Sequence, residues 1–237
     1  MIGKKRIRKG IYLTTERAVY VENERALILS DLHIGMEESS LVGIRVQTKD
    51  MINRINLLSS EFKVEKLVLN GDLKYSFSKE IRQEYEGIRK FVDSLRDFEI
   101  IALKGNHDFY LQNIFRDRAE IKEYHYFEDS RVLITHGHKL FNKGQEITII
   151  GNEHPAITFI DELNIRVKVP CYVVFKDLIV TPAFNRLSKG VDMLRANEFL
   201  SPYLKQRDVG EAKVYVINEN NLLDFGKLKK LKEIFTQ

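Results

Sequence analysis

The sequence contains a single cysteine, Cys171, in 237 residues. One cysteine excludes an intrachain disulfide and a zinc site built from several thiolates, and it is typical of a reducing compartment. Long hydrophobic runs are also missing, because no stretch approaches the roughly 18 apolar residues of a membrane-spanning helix. The basic segment at residues 4–9 is not followed by the apolar part of a signal peptide. We therefore expect a cytoplasmic protein that is neither exported nor inserted into a membrane.

A large excess of charge of one sign is absent too. The 38 Lys and Arg residues against 34 Asp and Glu residues give a formal net charge of only +4, which permits a phosphate-bearing partner without requiring one. The basic segment 4–9 is interpreted as a solvated terminus without a function. No internal repeat, low-complexity stretch or linker stands out. With 43% apolar and 30% charged residues, the composition predicts one domain over residues 1–237.

What the chain does contain is five short motifs, each placed directly after a β-rich run. The runs at residues 25–30, 66–70, 100–104, 131–135 and 147–150 predict strands, and the first three are nearly continuous apolar segments, as in central strands covered on both faces. Ligands of such sheets gather beyond the carboxyl ends of the strands. We therefore expect five motifs to converge: Asp31-Leu32-His33, Gly71-Asp72, Gly105-Asn106-His107-Asp108, His136-Gly137-His138 and Gly151-Asn152-Glu153-His154.

Two sets of apolar residues recur at helical spacing and predict helices that cover a sheet. They are Met51, Ile55, Leu58 and Phe62 in the first helix, and Ile81, Tyr85, Ile88 and Leu95 in the second, which Ser78 is expected to cap. Runs at residues 11–14 and 18–21 predict a hairpin, and runs at 172–175, 178–181 and 213–217 predict an antiparallel portion. The expected fold is an α/β (α+β) four-layer α/β/β/α sandwich of two packed mixed sheets with outer helices.

The motifs supply carboxylate, amide and imidazole groups, and a pair of divalent ions is the commonest reason for such a mixture to be gathered in one place. Asp72 follows a glycine at a strand end and can bridge two cations with its two oxygens. Asp31 and His33 lie two residues apart, so both can reach one ion while the residue between them points away. His154 would complete that site.

Asn106 and His136 offer an amide oxygen and an imidazole nitrogen, which suit a second ion held by the other oxygen of Asp72. Taken singly, such residues are commonly caps, Asx turns or half-buried histidines. Five motifs in a fixed order, each at the end of an apolar strand, favour a metal site instead. His125 has no such motif around it and is interpreted as a surface or packing residue.

The order of the motifs resembles the calcineurin-like metallophosphoesterase superfamily over residues 25–154. Further segments make the chain similar to the archaeal phosphoesterases related to the SbcD nuclease and to the ligase-associated phosphodiesterases of bacteria. They are residues 31–35, 71–74 and 151–157, Pro170-Cys171 and Pro182-Ala183-Phe184-Asn185. The resemblance implies that His107 is catalytic, that one metal is held by Asp31, His33, Asp72 and His154, and that the other is held by Asp72, Asn106 and His136.

The chain departs from that resemblance at one position. The last motif of the superfamily reads G-H-x-H, whose first histidine binds the second metal, and here Asn152 takes its place. An amide oxygen ligates Mn²⁺ or Mg²⁺ but is a weaker ligand than imidazole for Zn²⁺ or Ni²⁺. We expect two divalent ions, Mn²⁺ first with Fe, Ni, Zn or Mg as alternatives, and a weaker second site. His138 can be a substitute ligand, a support for a ligand or a substrate contact.

The expected reaction is hydrolysis of a phosphodiester by a two-metal-activated hydroxide, with His107 as general acid. Asp108 either orients His107 or anchors the turn. The alternatives are a weakly active or non-catalytic metal-binding accessory module of a DNA repair or ligation assembly, and a hydrolase of nucleotide pyrophosphate bonds.

The substrate is less constrained by the sequence than the metal site. The segment after His154 is expected to complete the sheets rather than add a DNA-binding domain, so we expect a small phosphodiester, a nucleotide or a nucleic acid end, with a DNA repair protein as a partner. Four cations can receive phosphate oxygens, although such residues are more often solvated. They are Lys74, Lys104, Lys139 and Arg166.

Overall fold

The computed structural model describes residues 2–36, 46–75, 82–108, 111–115, 118–160 and 163–235. Within these residues, seven strands form a first mixed sheet in the order in which they follow one another along the chain. They are β1 (Lys4–Arg8), β2 (Ile11–Thr14), β3 (Val19–Val21), β4 (Ala26–Ser30), β5 (Lys66–Asn70), β6 (Glu99–Leu103) and β7 (Ile121–Lys122). The first four strands pair antiparallel, and β4 to β7 pair parallel.

Parallel pairing requires crossovers, and helices supply two of them. Helix α1 (Gln47–Glu61) connects β4 to β5, helix α2 (Arg82–Ser94) connects β5 to β6, and the short α3 (Gln112–Phe115) precedes β7. The predicted faces are confirmed where the structure describes them, since Met51, Ile55, Leu58, Ile88 and Leu95 are buried. The expected cap Ser78 and the first residue of the second stripe, Ile81, lie outside the described residues.

The second sheet contains nine described strands in the order β14-β11-β12-β13-β10-β9-β8, with β15 paired to β12 and β16 paired to β15. The strands are β8 (Tyr124–Phe127), β9 (Val132–Thr135), β10 (Ile147–Ile150), β11 (Pro155–Ile160), β12 (Arg166–Val174), β13 (Leu178–Val180), β14 (Val191–Asp192), β15 (Lys213–Asn218) and β16 (Asn221–Lys227). Helix α4 (Pro202–Lys205) follows β14, a short 3-10 helix spans Val209–Glu211, and helix α5 (Leu228–Phe235) follows β16. The antiparallel portion expected after residue 171 is confirmed by the pairing of β12 with β13 and β15.

Successive side chains of a strand point to opposite sides, and the central strands β4, β5, β9 and β10 are covered on both faces. In β4, Leu27 and Leu29 pack against α1 and α2, whereas Ala26 and Ile28 pack between the two sheets. In β12, Tyr172 faces the first sheet and its neighbours face outward, onto a cluster that includes residues of α4 and α5. The expected four-layer arrangement of two mixed sheets with outer helices is confirmed.

The basic segment 4–9 keeps its charged side chains towards solvent, as interpreted, but it also forms a strand that was not predicted. Residues Lys4–Arg8 form β1, which pairs antiparallel with β2 at the edge of the first sheet. Its side chains remain exposed or half-buried, and the Lys4 Nζ atom lies 2.6 Å from Glu61 Oε1. An edge strand pairs through its backbone, and charged side chains on it discourage pairing with other chains. The run of basic residues therefore gave no sign of a strand. None of the described helices is long and apolar enough to cross a membrane.

Candidate metal centre

The five motif loops meet where the carboxyl ends of β4, β5, β6, β9 and β10 lie. Each strand group is parallel, so its carboxyl ends share one edge. Backbone hydrogen bonds then join the loops in pairs. The His33 N–H donates to Asp72 O at 2.8 Å, and the Gly151 N–H donates to His136 O at 3.0 Å.

The first group of converging side chains consists of Asp31, His33 and His154, whose ligand atoms lie within 4.8 Å of one another. His154 Nε2 is 3.3 Å from Asp31 Oδ1 and 3.4 Å from His33 Nε2. Two imidazole nitrogens that face each other this closely need a proton or a cation between them, because each carries a lone pair when deprotonated. The geometry therefore suits a shared cation.

Two further groups connect to the first through shared residues. Asp31, Asp72 and His136 form one, and His33, Asp72 and His107 form the other. The His136 Nε2–H donates to Asp31 Oδ1 at 2.9 Å and lies 3.5 Å from Asp72 Oδ2. His107 Nε2 also lies 3.5 Å from Asp72 Oδ2. One oxygen of Asp72 thus faces imidazoles from two different loops.

The surroundings of the site favour an ionised Asp31 carboxylate and a neutral His33 imidazole. Burial opposes ionisation of Asp31, yet the charge of His154 and the hydrogen bond from His136 hold the pKa of its carboxyl well below its usual range. Burial lowers the pKa of His33 to about 4, against the opposing effect of Asp31. His33 is therefore neutral near pH 7, the form in which an imidazole nitrogen binds a cation.

Two motif glycines are required because the carboxylates pack directly on them. A Cβ atom on Gly105 would clash with Oδ1 and the backbone nitrogen of Asp72, and one on Gly151 would clash with Oδ2 of Asp31. Each of these glycines contacts the carboxylate of another motif, Gly105 that of Asp72 and Gly151 that of Asp31. A residue without a side chain is needed there because the carboxylate fills the space that a Cβ atom would occupy.

Five non-glycine residues of the motifs adopt the left-handed backbone region. Their φ angles lie between 42° and 65°, in Asp31, His33, Asp72, Asn152 and His154. Each such residue costs of the order of 1–3 kcal/mol, and such residues cluster at functional sites where the surrounding structure holds them. The turns aim side chains from the two sheets at one point.

Two of the candidate ligands carry a buried polar atom that has no hydrogen-bond partner. The atoms are Asn106 Oδ1 and His33 Nδ1. A buried acceptor without a donor costs free energy. A divalent cation would provide the missing partner for Asn106, so the donor set fits a metal.

A profile of the calcineurin-like phosphoesterase family matches residues 24–210, a span that contains all five motifs. The chain belongs to the calcineurin-like phosphoesterases. It is therefore a metal-dependent phosphoester hydrolase, and the superfamily that the motif order indicated is confirmed.

The fold of this phosphoesterase is also found in a solved structure. The crystal structure of Pseudomonas putida nuclease MPE superposes with a TM-score of 0.69 at 18% sequence identity, covering 94% of this chain and 100% of that chain. The phosphoesterase YfcE from E. coli has a TM-score of 0.42 at 14% identity, covering 82% of this chain and 88% of that chain. No curated protein sequence matches the chain. The likeness to MPE shows a shared fold.

Asn152, the residue at which the chain differs from the superfamily's last motif, lies beside the candidate metal ligands. Its backbone N–H donates to Asp31 Oδ2 at 3.0 Å, and the residue is buried. His138 lies on the other side of His136, with the two Nδ1 atoms 3.1 Å apart, away from the carboxylates that His136 contacts through Nε2. Among the described residues, no group of converging ligand atoms includes His138.

Asp108 anchors the loops of the phosphoesterase. Its carboxylate accepts hydrogen bonds from the N–H groups of Leu73, Lys74 and Gly105 at 2.9, 3.3 and 2.9 Å. The second and third motifs are thereby held together. The His107 ring is instead oriented by a backbone carbonyl, with Nδ1 3.0 Å from Tyr75 O.

Three residues that the sequence did not single out by their own pattern support the candidate ligands. Ser188 Oγ lies 3.0 Å from His154 Nδ1, and the side-chain amides of Gln47 and Asn185 donate to His33 O at 3.1 and 3.4 Å. Only Asn185 belonged to a segment quoted for the resemblance. Serine and amide side chains occur throughout surfaces, so no local signal marks Ser188 or Gln47.

The cations that were candidate phosphate contacts occupy different environments. Lys139 pairs with Glu123 at 3.0 Å, and Lys74 is buried. Arg166 is exposed on β12 and lines a cleft beside His154.

Proposed function

We propose that this phosphoesterase is a phosphodiesterase that works with two divalent ions and uses His107 as the general acid. The observation that carries the proposal is the position of Asp72 Oδ2, 3.5 Å from both His136 Nε2 and His107 Nε2. Asp72 connects the group around His136 to the group around His33. One carboxylate in this position can serve two cations.

The proposed ligands follow from these groups. Asp31, His33, Asp72 and His154 would hold one ion, and Asp72, Asn106 and His136 would hold the other. Bound ions would lower the pKa of the attacking water and neutralise the charge on the phosphoryl oxygens. Oxygen and imidazole donors without thiolates suit Mn²⁺, with Fe, Ni, Zn and Mg as alternatives.

Two hydrogen bonds support the proposed role of His107 as the proton donor. Its backbone N–H donates to Asp72 Oδ1 at 2.9 Å, and its Nδ1–H donates to Tyr75 O at 3.0 Å. These bonds fix the loop and the ring, and the ring's Nε2 atom faces the candidate metal centre. The side chain is 15% exposed, so a substrate oxygen can reach it. A positioned acid of this kind contributes about 10²–10⁴-fold to a rate.

The substrate we favour is a phosphodiester of a nucleotide or a nucleic acid end. Its support is that the structurally similar MPE is described as a nuclease. Asn152 lies beside Asp31 without an imidazole to offer, so we propose that the ion at Asn106 and His136 exchanges more readily than the other.

The test compares His107→Ala and Asp72→Asn with the wild type on bis-p-nitrophenyl phosphate and Mn²⁺. The His107 variant should keep its metal content and lose about 10²–10⁴-fold in kcat, with a larger loss on substrates that have poorer leaving groups. The Asp72 variant should lose both metal and activity. His125→Ala is the matched control, because His125 packs on Phe127 in β8, and it should change neither.

If Asp72→Asn keeps its metal content and activity, the two-ion assignment is wrong. If the wild type binds metal and hydrolyses neither a diester nor a nucleotide pyrophosphate bond, the accessory-module alternative replaces the phosphodiesterase proposal.

A further inference from the structure

A cleft of about 360 Å³ lies beside the candidate metal centre, and its charge is one-sided. His154 belongs to both compartments, since its Nε2 faces Asp31 and its Nδ1 faces Ser188, which also lines the cleft. None of the described lining residues is acidic. Five are basic: Arg17, Arg166, Lys168, Arg186 and Lys189.

The fold assembles these cations from three separate segments. Strand β11 begins directly after His154 and pairs with β12, whose alternate residues Arg166, Lys168 and Pro170 line the cleft. Successive side chains of a strand point to opposite faces, and Val169 accordingly packs on the outer hydrophobic cluster. The turn after β2 contributes Arg17, and the segment after β13 contributes the other two cations.

Arg17 is a half-buried cation whose hydrogen bonds go to neutral groups. It donates from Nη1 to Asn185 O at 3.1 Å and to Ala183 O at 3.5 Å. Burial, with the nearby charges of Arg54 and Arg186, lowers its pKa to about 10. A guanidinium that is desolvated beside other cations is costly unless an anion compensates it.

The neighbouring carboxylates do not neutralise this charge. Glu16 Oε2 accepts from Arg54 Nε at 2.7 Å and from Arg186 Nη2 at 2.8 Å, and Asp50 contacts the same two arginines at 3.4 Å. Among the residues that the structure describes, three guanidiniums therefore share two carboxylates.

The other cations of the cleft add to this surplus. Arg166 and Lys189 form no ion pair within the described part of the chain, and Lys168 donates to Gly190 O at 3.1 Å. The formal charge of the whole chain is only +4, so this local concentration is not a consequence of general basicity.

We propose that the cleft binds a second phosphate group of the substrate, next to the one that is cleaved. This inference rests on the proposed function of the metal centre. Several arginines and lysines together recognise phosphate by charge and by forked hydrogen bonds. Because the His154 ring separates the two compartments, a substrate with two phosphates can place one in each. The second phosphate is a neighbouring diester of a strand or a terminal phosphate.

The double variant Arg166→Ala/Lys168→Ala tests the proposal, because both side chains are exposed and removing them leaves no buried group unpaired. We compare kcat/KM with Mn²⁺ on TpT, which has one phosphate, TpTpT, which adds a neighbouring diester, and pTpT, which adds a terminal phosphate. The wild type should prefer at least one two-phosphate substrate over TpT, and the variant should lose about tenfold of that preference. A preference for TpTpT identifies a neighbouring diester as the second phosphate, and a preference for pTpT identifies a terminal phosphate.

A binding assay separates this inference from the proposed function. Fluorescence anisotropy of a labelled dT12 strand in EDTA reports binding without catalysis. The double variant should bind about tenfold more weakly, and the slope of log K against log salt should fall by about 0.7 for each phosphate that the variant no longer neutralises. Unaltered dT12 binding by the variant together with normal diester hydrolysis refutes the cleft alone, whereas weakened binding in a protein that hydrolyses no diester refutes the proposed function alone.

Two controls show that charge in this place is responsible. Arg166→Lys/Lys168→Arg keeps both charges and should retain binding. Lys176→Ala/Lys213→Ala removes two charges near Ile147, at the amino end of β10 and opposite the metal centre, and should retain both activity and binding. If the control pair weakens dT12 binding as much as the cleft pair, or if the cleft pair leaves the preference over TpT intact, the proposal is wrong.

Discussion

Replacement of Asp108 tests whether one buried carboxylate holds two motif loops together. Its oxygens accept from three backbone N–H groups, those of Leu73, Lys74 and Gly105, and the residue is 3% exposed. Asp108→Ala removes both acceptor oxygens and with them all three hydrogen bonds. Asp108→Asn keeps the oxygen that faces Leu73 and Lys74, and turns an amide nitrogen towards the Gly105 N–H.

The two variants should therefore differ by the number of donors left without a partner. One buried unsatisfied donor costs about 1–3 kcal/mol, so Asp108→Asn should lower the free energy of unfolding by that amount. Asp108→Ala should lower it by about 3 kcal/mol or more. Burial and the charge of Asp72 raise the pKa of Asp108 to about 7, so the carboxyl is about half ionised at pH 7.

The assay is urea unfolding in EDTA, so that metal binding does not enter the measurement. Far-UV circular dichroism is the suitable signal, because the chain has no tryptophan. Equal destabilisation by both variants, or none by either, would refute the assignment of the three hydrogen bonds. A second readout is Mn²⁺ affinity, which should fall in the same order as the loops of Asp72 and Asn106 separate.

Two further substitutions probe the motifs. Asn152→His should raise the affinity of the weaker ion site for Mn²⁺ by about 10-fold, measured by calorimetry. Asn164→His, at another asparagine with a left-handed backbone that is exposed, should leave the affinity unchanged. Unchanged affinity in the Asn152 variant contradicts the weak-site reasoning. Gly105→Ala places a methyl group against Asp72 and should lower kcat/KM by about 10²-fold. Gly144→Ala, where a Cβ meets nothing within 4 Å, should keep its activity, and equal activity of the two alanine variants contradicts the packing argument.

Much of the scaffold was predictable because its signal is local. The runs at 66–70 and 147–150 match β5 and β10 in full, and their apolar character already indicates burial on both faces. Strand β1 was missed for the opposite reason. Its five residues are almost all basic and pair through the backbone, which side-chain patterns do not report.

The supporting contacts of the site were not predictable from local pattern. Ser188 and His154 are 34 residues apart, and Asn185 and His33 are 152 apart. Such pairs arise only when β4, β10 and the segment after β13 are brought to one edge. The role of Asp108 was open for the same reason, since its three donors come from two loops.

The sequence by itself determined the strands that precede the five motifs, the order of the motifs and the chemical types of the candidate ligands, because each depends on residues close together in the chain. Only the tertiary structure decided that Oδ2 of Asp72 faces both His136 and His107, and that the carbonyl of Tyr75 orients His107. It also decided that Arg17 and Arg166 share one cleft beside His154. Distances between loops depend on how the two sheets pack, and no local pattern encodes them.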